Sequence, residues 1–278
     1  MRSQSALYAQ RAGTVRSNGI NLHYEMSGTG PTLILIEGLG VATWLWERQV
    51  PDFSKHFTTV VYDNRGVGKS DKPSGQYSIS MMADDLAGLM EALAISKAHI
   101  LGVSLGGFIA QDFALRYPDK VDRLVLVSTS AGGPDHVPMS PETFAMFLAT
   151  DSDPRRLLRK KLALAYTESY LQNEDIDHLI DLRLENPQPQ HAYHAQIAAG
   201  VSFNLSEQVE DITAPTLISA ATKDLVVPIL NAYNLHKKIP NSQLIIYEDL
   251  GHQFFVESPR RFNRDVIEFL TGSSQQKE

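Results

Sequence analysis

The sequence predicts an α/β fold: a mostly parallel, eight-stranded sheet flanked by helices, with a helical stretch inserted after the sixth strand. Three observations predict it. Apolar runs of strand length alternate with helical patterns over residues 32–127, as in parallel strand–helix–strand units. Between residues 131 and 206 only helical patterns occur, and the alternation resumes over residues 214–270. Finally, residues 100–107 (Ile-Leu-Gly-Val-Ser-Leu-Gly-Gly) read Gly-x-Ser-x-Gly between an apolar run and a helical pattern. A serine on such a strand-to-helix turn exposes its hydroxyl at a strand's C-terminal end.

The elements follow in order. Residues 1–13 and 272–278 are polar and are expected to be loose tails. Asn18-Gly19 is a two-residue turn signal. Beyond it Ile20, Leu22, Tyr24 and Met26 alternate with Asn21, His23 and Glu25, which predicts a hairpin with His23 on its polar side. Residues 32–36 and 58–62 are the continuous apolar runs of strands buried on both faces, and a helical stretch at 46–53 separates them. Residues 77–94 place Met82, Leu86, Leu89, Met90 and Leu93 at helical spacing. Residues 98–103 form the strand before the serine, and 121–127 the next. The insertion carries helical patterns at 141–149, 154–170, 174–184 and 191–199. Strands at 214–220 and 243–247 and helices at 228–238 and 259–270 complete the chain; each of these helices opens on a proline, which a first turn tolerates. The core is thus expected at 14–130 and 207–271, and the insertion at 131–206.

Composition excludes several function classes. With 278 residues and 43% hydrophobic content the chain can bury one large core. It has no cysteine, so it has neither disulfides nor a thiolate metal site. Acidic residues outnumber basic ones, 32 to 25, which argues against nucleic acid as a partner. No run approaches the ~20 apolar residues of a membrane span. Residues 1–11 lack the apolar core of a signal peptide, so a cytoplasmic protein is expected.

Several local patterns suggest binding chemistry and fail on inspection. Gly68-Lys69-Ser70 looks like part of a phosphate-binding loop, but Asp63 stands where its first glycine belongs, and a carboxylate repels phosphate. Gly38-x-Gly40 has Thr43 where a dinucleotide fingerprint needs glycine. His191 and His194 share a helix face without a third ligand, so no metal is expected. Arg155, Arg156, Arg159, Lys160 and Lys161 interleave with Leu157, Leu158 and Leu162, the pattern of an exposed helix face. No cofactor is implied; the expected partner is a small-molecule substrate, and monomer and dimer are both open.

Three polar residues stand after strand C-termini: Ser104, Asp224 and His252. In a parallel sheet such loops gather at one edge, so residues 120 and 28 positions apart can converge. A serine hydroxyl needs an imidazole to take its proton, and a buried carboxylate to fix the imidazole's tautomer and stabilise its charged form. Asp135 and Asp249 also lie near strand ends; Asp249 reads as a turn residue, and Asp135 is several residues past its strand.

These residues, with Gly38-Leu39-Gly40, the stretch 63–70 (Asp-Asn-Arg-Gly-Val-Gly-Lys-Ser), Asp224-Leu225-Val226-Val227-Pro228 and Gly251-His252, resemble the α/β-hydrolases over about residues 15–270. The resemblance implies an α/β-hydrolase fold with a catalytic triad of Ser104, Asp224 and His252. It implies oxyanion-hole amides at Leu39 and Leu105 and a cap formed by the insertion. One position departs: where the family usually carries His-Gly after the third strand, this chain has Glu37-Gly38. A carboxylate facing the oxyanion would oppose catalysis. Glu37 is therefore expected to point away and hold the loop by a hydrogen bond or ion pair, with Arg65 as the candidate partner.

Serine in place of aspartate at the nucleophile position argues against the dehalogenases and epoxide hydrolases of this fold. The leading expectation is a carboxylic ester hydrolase acting on an ester or lactone, as in the small carboxylesterases and 3-oxoadipate enol-lactonases that the chain resembles. Carbon–carbon hydrolases of dienoate ring-cleavage products share the triad but often carry Asn where this chain has Val103, so they come second. A small-molecule receptor on the same fold is the remote alternative. Val41, Trp44, Phe108, Phe144, Phe147, Val226 and Phe254 are expected to line an apolar pocket, with no Arg or Lys cluster aimed at it. Since the base must be neutral, activity should fall as pH drops below about 6–7.

Overall fold

A computed structural model describes residues 10–174 and 176–272. The strands are β1 (Arg11–Ser17), β2 (Ile20–Ser27), β3 (Thr32–Ile36), β4 (Thr58–Tyr62), β5 (Ala98–Val103), β6 (Val121–Val127), β7 (Thr216–Ala221) and β8 (Ser242–Tyr247). They form one sheet in the order β1-β2-β4-β3-β5-β6-β7-β8. Strand β2 runs antiparallel to both β1 and β4, and every other neighbouring pair is parallel. Arg11, Ala12 and Gly13 pair with Met26, Glu25 and Tyr24, so the expected N-terminal tail gives its last three residues to β1. The rest of that tail up to residue 9, and residues 273–278 of the C-terminal tail, lie outside the described residues.

Successive side chains of each central strand point to opposite faces. Leu33, Leu35, Leu101, Val103, Val125 and Val127 enter one core, while Ile34, Ile36, Ile100, Leu124 and Leu126 enter the other. Helices cover both faces, which is why these strands are apolar without alternation. His23 departs from expectation: it is buried, with its ring 3.2 Å from Glu25 Oε1. The reason is tertiary, since the loop after β4 packs against it: the His23 amide donates to Ser70 Oγ at 2.9 Å and Lys69 Nζ lies 3.5 Å from its ring.

The longer helices are α1 (Ile79–Ala92), α2 (Leu105–Arg116), α3 (Pro141–Leu148), α4 (Pro154–Ala165), α5 (Glu168–Asn173), α6 (Ile176–Glu185), α7 (Gln190–Val201), α8 (Leu230–Lys238) and α9 (Pro259–Thr271). The single helix expected over 154–170 is two. Tyr166 is extended, and the Thr167 hydroxyl accepts the Tyr170 amide and caps a new start. Helices α3 to α7 make up the insertion between β6 and β7, and a bridge between Gly132 and Asn204 ties its base. Among the described residues no helix is long and apolar enough to cross a membrane.

This topology places the site. Strand β3 lies between β4 and β5, so the chain leaves it for one neighbour and returns on its other side. A crevice opens at the C-terminal ends of strands where the crossover direction reverses. The loops after β3 and β5 border it, and they carry Leu39 and Ser104.

Candidate active site

Ser104 joins β5 to α2 with φ 53° and ψ −116°. A side chain in that region costs about 1–3 kcal/mol and persists only when its surroundings over-determine it. Here they do. The Ser104 amide donates to Val127 O (2.9 Å), and its carbonyl accepts the Gly107 amide (2.9 Å) and Thr129 Oγ1 (2.9 Å). Gly106 lets α2 pass against the end of β3, where a β-carbon would lie 2.2 Å from Ile36 O. The Leu105 amide opens α2, one of the donors that a helix cannot satisfy internally. Partial positive charge therefore collects beside the serine.

Asp224 follows β7 and His252 follows β8. His252 Nδ1 lies 2.8 Å from Asp224 Oδ2, while Asp224 Oδ1 accepts the amides of Val226 and Val227, each at 2.8 Å. The carboxylate is fully buried, so three donors replace its water. Ser128 Oγ donates to His252 O (2.9 Å). The end of β6 thus holds both the serine, through Thr129, and the histidine loop, through Ser128. Ser104 and His252 line one cavity, with no direct hydrogen bond between them. The competing acids lie elsewhere: Asp249 pairs with Lys223 at 3.0 Å and Asp135 with Lys238 at 2.5 Å, both at the surface.

The loop after β3 lies against Ser104. A β-carbon on Gly38 would sit 3.3 Å from Ser104 Cβ, and Leu39 borders the cavity beside Ser104. Gln196 of α7, fully buried, fastens this loop to the insertion. Its Oε1 accepts the Gly40 amide (3.3 Å) and Gln188 Nε2 (3.1 Å), and its Nε2 donates to Arg65 O (2.8 Å). Sequence reading passed over Gln196, although a polar residue among Ala192, Ala195 and Ala199 on a buried stripe was the available signal.

Glu37 points away from the cavity, but its partner is not Arg65. Its Oε1 accepts the Asn64 amide (2.9 Å), and Asn64 Nδ2 donates to its carbonyl (3.1 Å). Arg65 instead makes a fork with Asp85, at 2.8 and 2.6 Å. Glu37 Oε2 is buried with no partner of hydrogen-bond geometry, although the Trp46 indole lies near it. Burial, and then the charge of Asp63, hold this carboxyl well above the usual carboxylate range. Asp63 accepts the amides of Thr43 (2.8 Å) and Lys69 (2.6 Å), so the false phosphate loop is filled by its own side chain.

A carboxyl raised in the folded state binds more protons folded than unfolded. Its stabilising contribution is complete below its unfolded pKa, about 4.3, and is lost as pH rises toward the folded value. Glu37→Gln keeps an acceptor for Asn64 and cannot ionise. Between pH 5 and 8 the wild type should lose stability progressively relative to Glu37→Gln, measured by urea unfolding at each pH. Parallel pH profiles would mean that Glu37 is ionised in its pocket.

The cavity has a volume of about 660 Å³, within the range of small-molecule sites. Of the expected pocket residues, Val41, Phe147 and Val226 line it. The other four do not. Trp44 is buried beneath the Arg183 guanidinium, 4.9 Å from ring centroid to Cζ. Phe108 stacks on Phe203 at 4.3 Å, Phe254 stacks on Tyr247 at 4.3 Å within the core, and Phe144 is turned to solvent. Strand-end and helix position predict proximity, but not which way an aromatic side chain points.

The basic run on α4 also divides. Arg155 and Arg159 pair with Asp177 on the outside, as expected, whereas Arg156 pairs with Asp151, which borders the cavity, and Lys161 lines the cavity itself. Arg183 of α6 joins it there, so the expectation of no cations at the site is corrected. His191 Nε2 lies 3.0 Å from Lys72 O, His194 borders the cavity, and no cluster suited to a metal occurs among the described residues.

Comparison with known proteins agrees with this architecture. Residues 31–259 match the alpha/beta hydrolase fold family. A putative carbamate hydrolase, RutD, from Caulobacter sp. (strain K31) is 29% identical, covering 95% of this chain and 99% of the relative. The meta-cleavage product hydrolase CumD from Pseudomonas fluorescens IP01, solved as a serine-to-alanine mutant complexed with acetates, superposes with a TM-score of 0.84 at 30% identity, over 96% of this chain and 100% of that one. The enol-lactonase from Burkholderia xenovorans LB400 gives 0.83 at 26% identity, over 93% and 100%. The strained serine between β5 and α2, the loops gathered at the switch point and the matched family together lead to one conclusion: the chain belongs to the alpha/beta hydrolase fold family and is a hydrolase.

Proposed function

We propose that this chain is a serine hydrolase that cleaves a carboxylic ester or lactone through an acyl-enzyme. The observation that carries this is the His252–Asp224 hydrogen bond, with His252 and the strained Ser104 facing one cavity. His252 Nε2 takes the Ser104 proton as Oγ attacks the substrate carbonyl. The oxyanion forms between the amides of Leu39 and Leu105. The tetrahedral adduct collapses, the leaving oxygen takes the proton from the imidazolium, and the acyl group stays on Oγ. Water then attacks the acyl-serine with His252 as base, releasing the acid and restoring the hydroxyl. The helical insertion acts as the cap, since Gln196 anchors it to the oxyanion loop and Phe147, Lys161 and Arg183 supply much of the cavity wall.

The test is hydrolysis of p-nitrophenyl esters from acetate to decanoate, with rapid-mixing kinetics. The expected result is a burst of nitrophenol equal to one per active site, and a kcat/KM maximum at one chain length. Linear kinetics with no acylated Ser104 by mass spectrometry would count against the acyl-enzyme. The likeness to a meta-cleavage product hydrolase favours a second reading, carbon–carbon hydrolysis of dienoate ring-cleavage products. Turnover of such a dienoate with kcat/KM above that of every ester would favour it.

A further inference from the structure

We propose that Arg183, with Lys161, forms a carboxylate-binding subsite in the cavity of Ser104, so that the substrate carries an anionic carboxylate away from the bond that is cut. The proposal rests on the serine hydrolase reading and adds a substrate class to it. It starts from an unusual arginine. Arg183 is half-buried, and it lines the cavity. Its Nη1 is inaccessible to solvent and has no acceptor. Among the described residues no carboxylate pairs with it and no carbonyl accepts from it. Arg65, which is buried, is treated differently: it is forked onto Asp85 at 2.8 and 2.6 Å. A buried cation without a counter-charge is costly. It is retained where a ligand supplies the missing charge.

The surroundings fit a carboxylate. The guanidinium sits 4.9 Å from the Trp44 ring centroid, a cation–π contact that uses none of its N–H donors. A guanidinium edge matches a carboxylate with two parallel hydrogen bonds. Lys161 supplies a second cation: Nζ donates to Phe147 O at 3.0 Å, sits 5.0 Å over the Tyr193 ring, and has no carboxylate partner among the described residues. The one acidic side chain on the described cavity wall, Asp151, is already bound by Arg156, at 2.9 and 2.5 Å. The cavity wall is therefore cationic in a chain whose net charge is −7.

Both cations occupy positions that helical periodicity reserves for apolar residues. Arg183 continues the stripe of Ile176, Leu179 and Ile180 on α6, and Lys161 sits with Leu158, Leu162 and Ala165 on α4. A solvated cation has no reason to stand on the inward stripe of an amphipathic helix.

The experiment compares two matched ester pairs. Mono-p-nitrophenyl glutarate against p-nitrophenyl pentanoate places the carboxylate on the acyl side. 4-Carboxyphenyl butanoate against its methyl ester places it on the leaving group. In one pair the wild type should prefer the charged ester at least tenfold in kcat/KM. Arg183→Met, which keeps the packing on Trp44, should abolish that preference, and Arg183→Lys should keep part of it. Glutarate itself is the probe that needs no turnover. It should bind Ser104→Ala by calorimetry, and at least tenfold more weakly when Arg183→Met is added. Removing a half-buried charge that has no counter-ion should leave Tm unchanged or raised, whereas loss of a structural arginine would lower it by several degrees. If no ester is cleaved but glutarate binding depends on Arg183, the subsite stands and the esterase reading fails. If neither the charge preference nor glutarate binding depends on Arg183, the subsite is wrong.

Discussion

Ser104→Ala is expected to lower kcat for the best ester by on the order of 10⁴–10⁶ while leaving the fold intact. The change removes one oxygen and no packing. The strained backbone is held by the amide and carbonyl of residue 104, which alanine keeps. Urea stability should therefore stay within about 0.5 kcal/mol of wild type. Asp224→Asn makes the same point from the other end of the relay, with a loss of about 10⁴. Oδ1 must remain an acceptor, because the amides of Val226 and Val227 both donate to it. The new amide nitrogen then faces His252 Nδ1, a donor where an acceptor is needed. The imidazole is driven to the tautomer protonated on Nε2, the nitrogen that should receive the serine proton. Nitrogen-15 spectra of the His252 ring would report this change directly. A Ser104→Ala enzyme retaining a tenth of wild-type turnover would end the nucleophile assignment.

Gly106→Ala should be strongly damaging for the addition of a single methyl. A β-carbon there meets Ile36 O at 2.2 Å and Glu37 O at 2.7 Å, both backbone atoms at the strand end that feeds the loop carrying Leu39. Backbone cannot rotate aside as a long side chain can, so α2 must move away from β3. Such overpacking costs about 3 kcal/mol or more. The displaced groups include the Leu105 amide and the Ser104 turn, so kcat should fall even at temperatures where the variant is folded. The measurements are urea unfolding and esterase kinetics on the same preparation. Wild-type stability with wild-type turnover would show that the helix has more room than its geometry gives it.

The two predictions differ in where their warrant lies. Ser104, Asp224 and His252 could be named from the chain, because each follows an apolar strand run and parallel strands bring their C-terminal loops to one edge. The sheet, its eight strands and the helical insertion were legible for the same reason: apolar periodicity reports burial on one face or two. Glycine at 106 was equally visible as part of Gly-x-Ser-x-Gly. What it avoids, the carbonyl of Ile36, belongs to a strand seventy residues earlier, and no local pattern carries that contact.

The errors have a common cause. His23 reads as polar-side in a hairpin, but the loop after β4 brings Lys69 and Ser70 against it. Glu37 reads as a partner for Arg65, but Asp85 of α1 reaches that guanidinium first. Trp44 and Phe254 read as pocket walls by their nearness to strand ends, yet they face the core. Gln196, Lys161 and Arg183 read as ordinary helix positions, although each lies on an inward stripe. By itself the sequence determined the elements, their alternation and the strand ends after which Ser104, Asp224 and His252 stand, because those follow from covalent neighbours and from whether a face meets water. Only the tertiary structure decided which buried polar group meets which partner. A hydrogen bond or ion pair needs two atoms within about 3 Å, and here those atoms come from segments as much as 215 residues apart, as in the bond from Asn263 Nδ2 to Arg48 O.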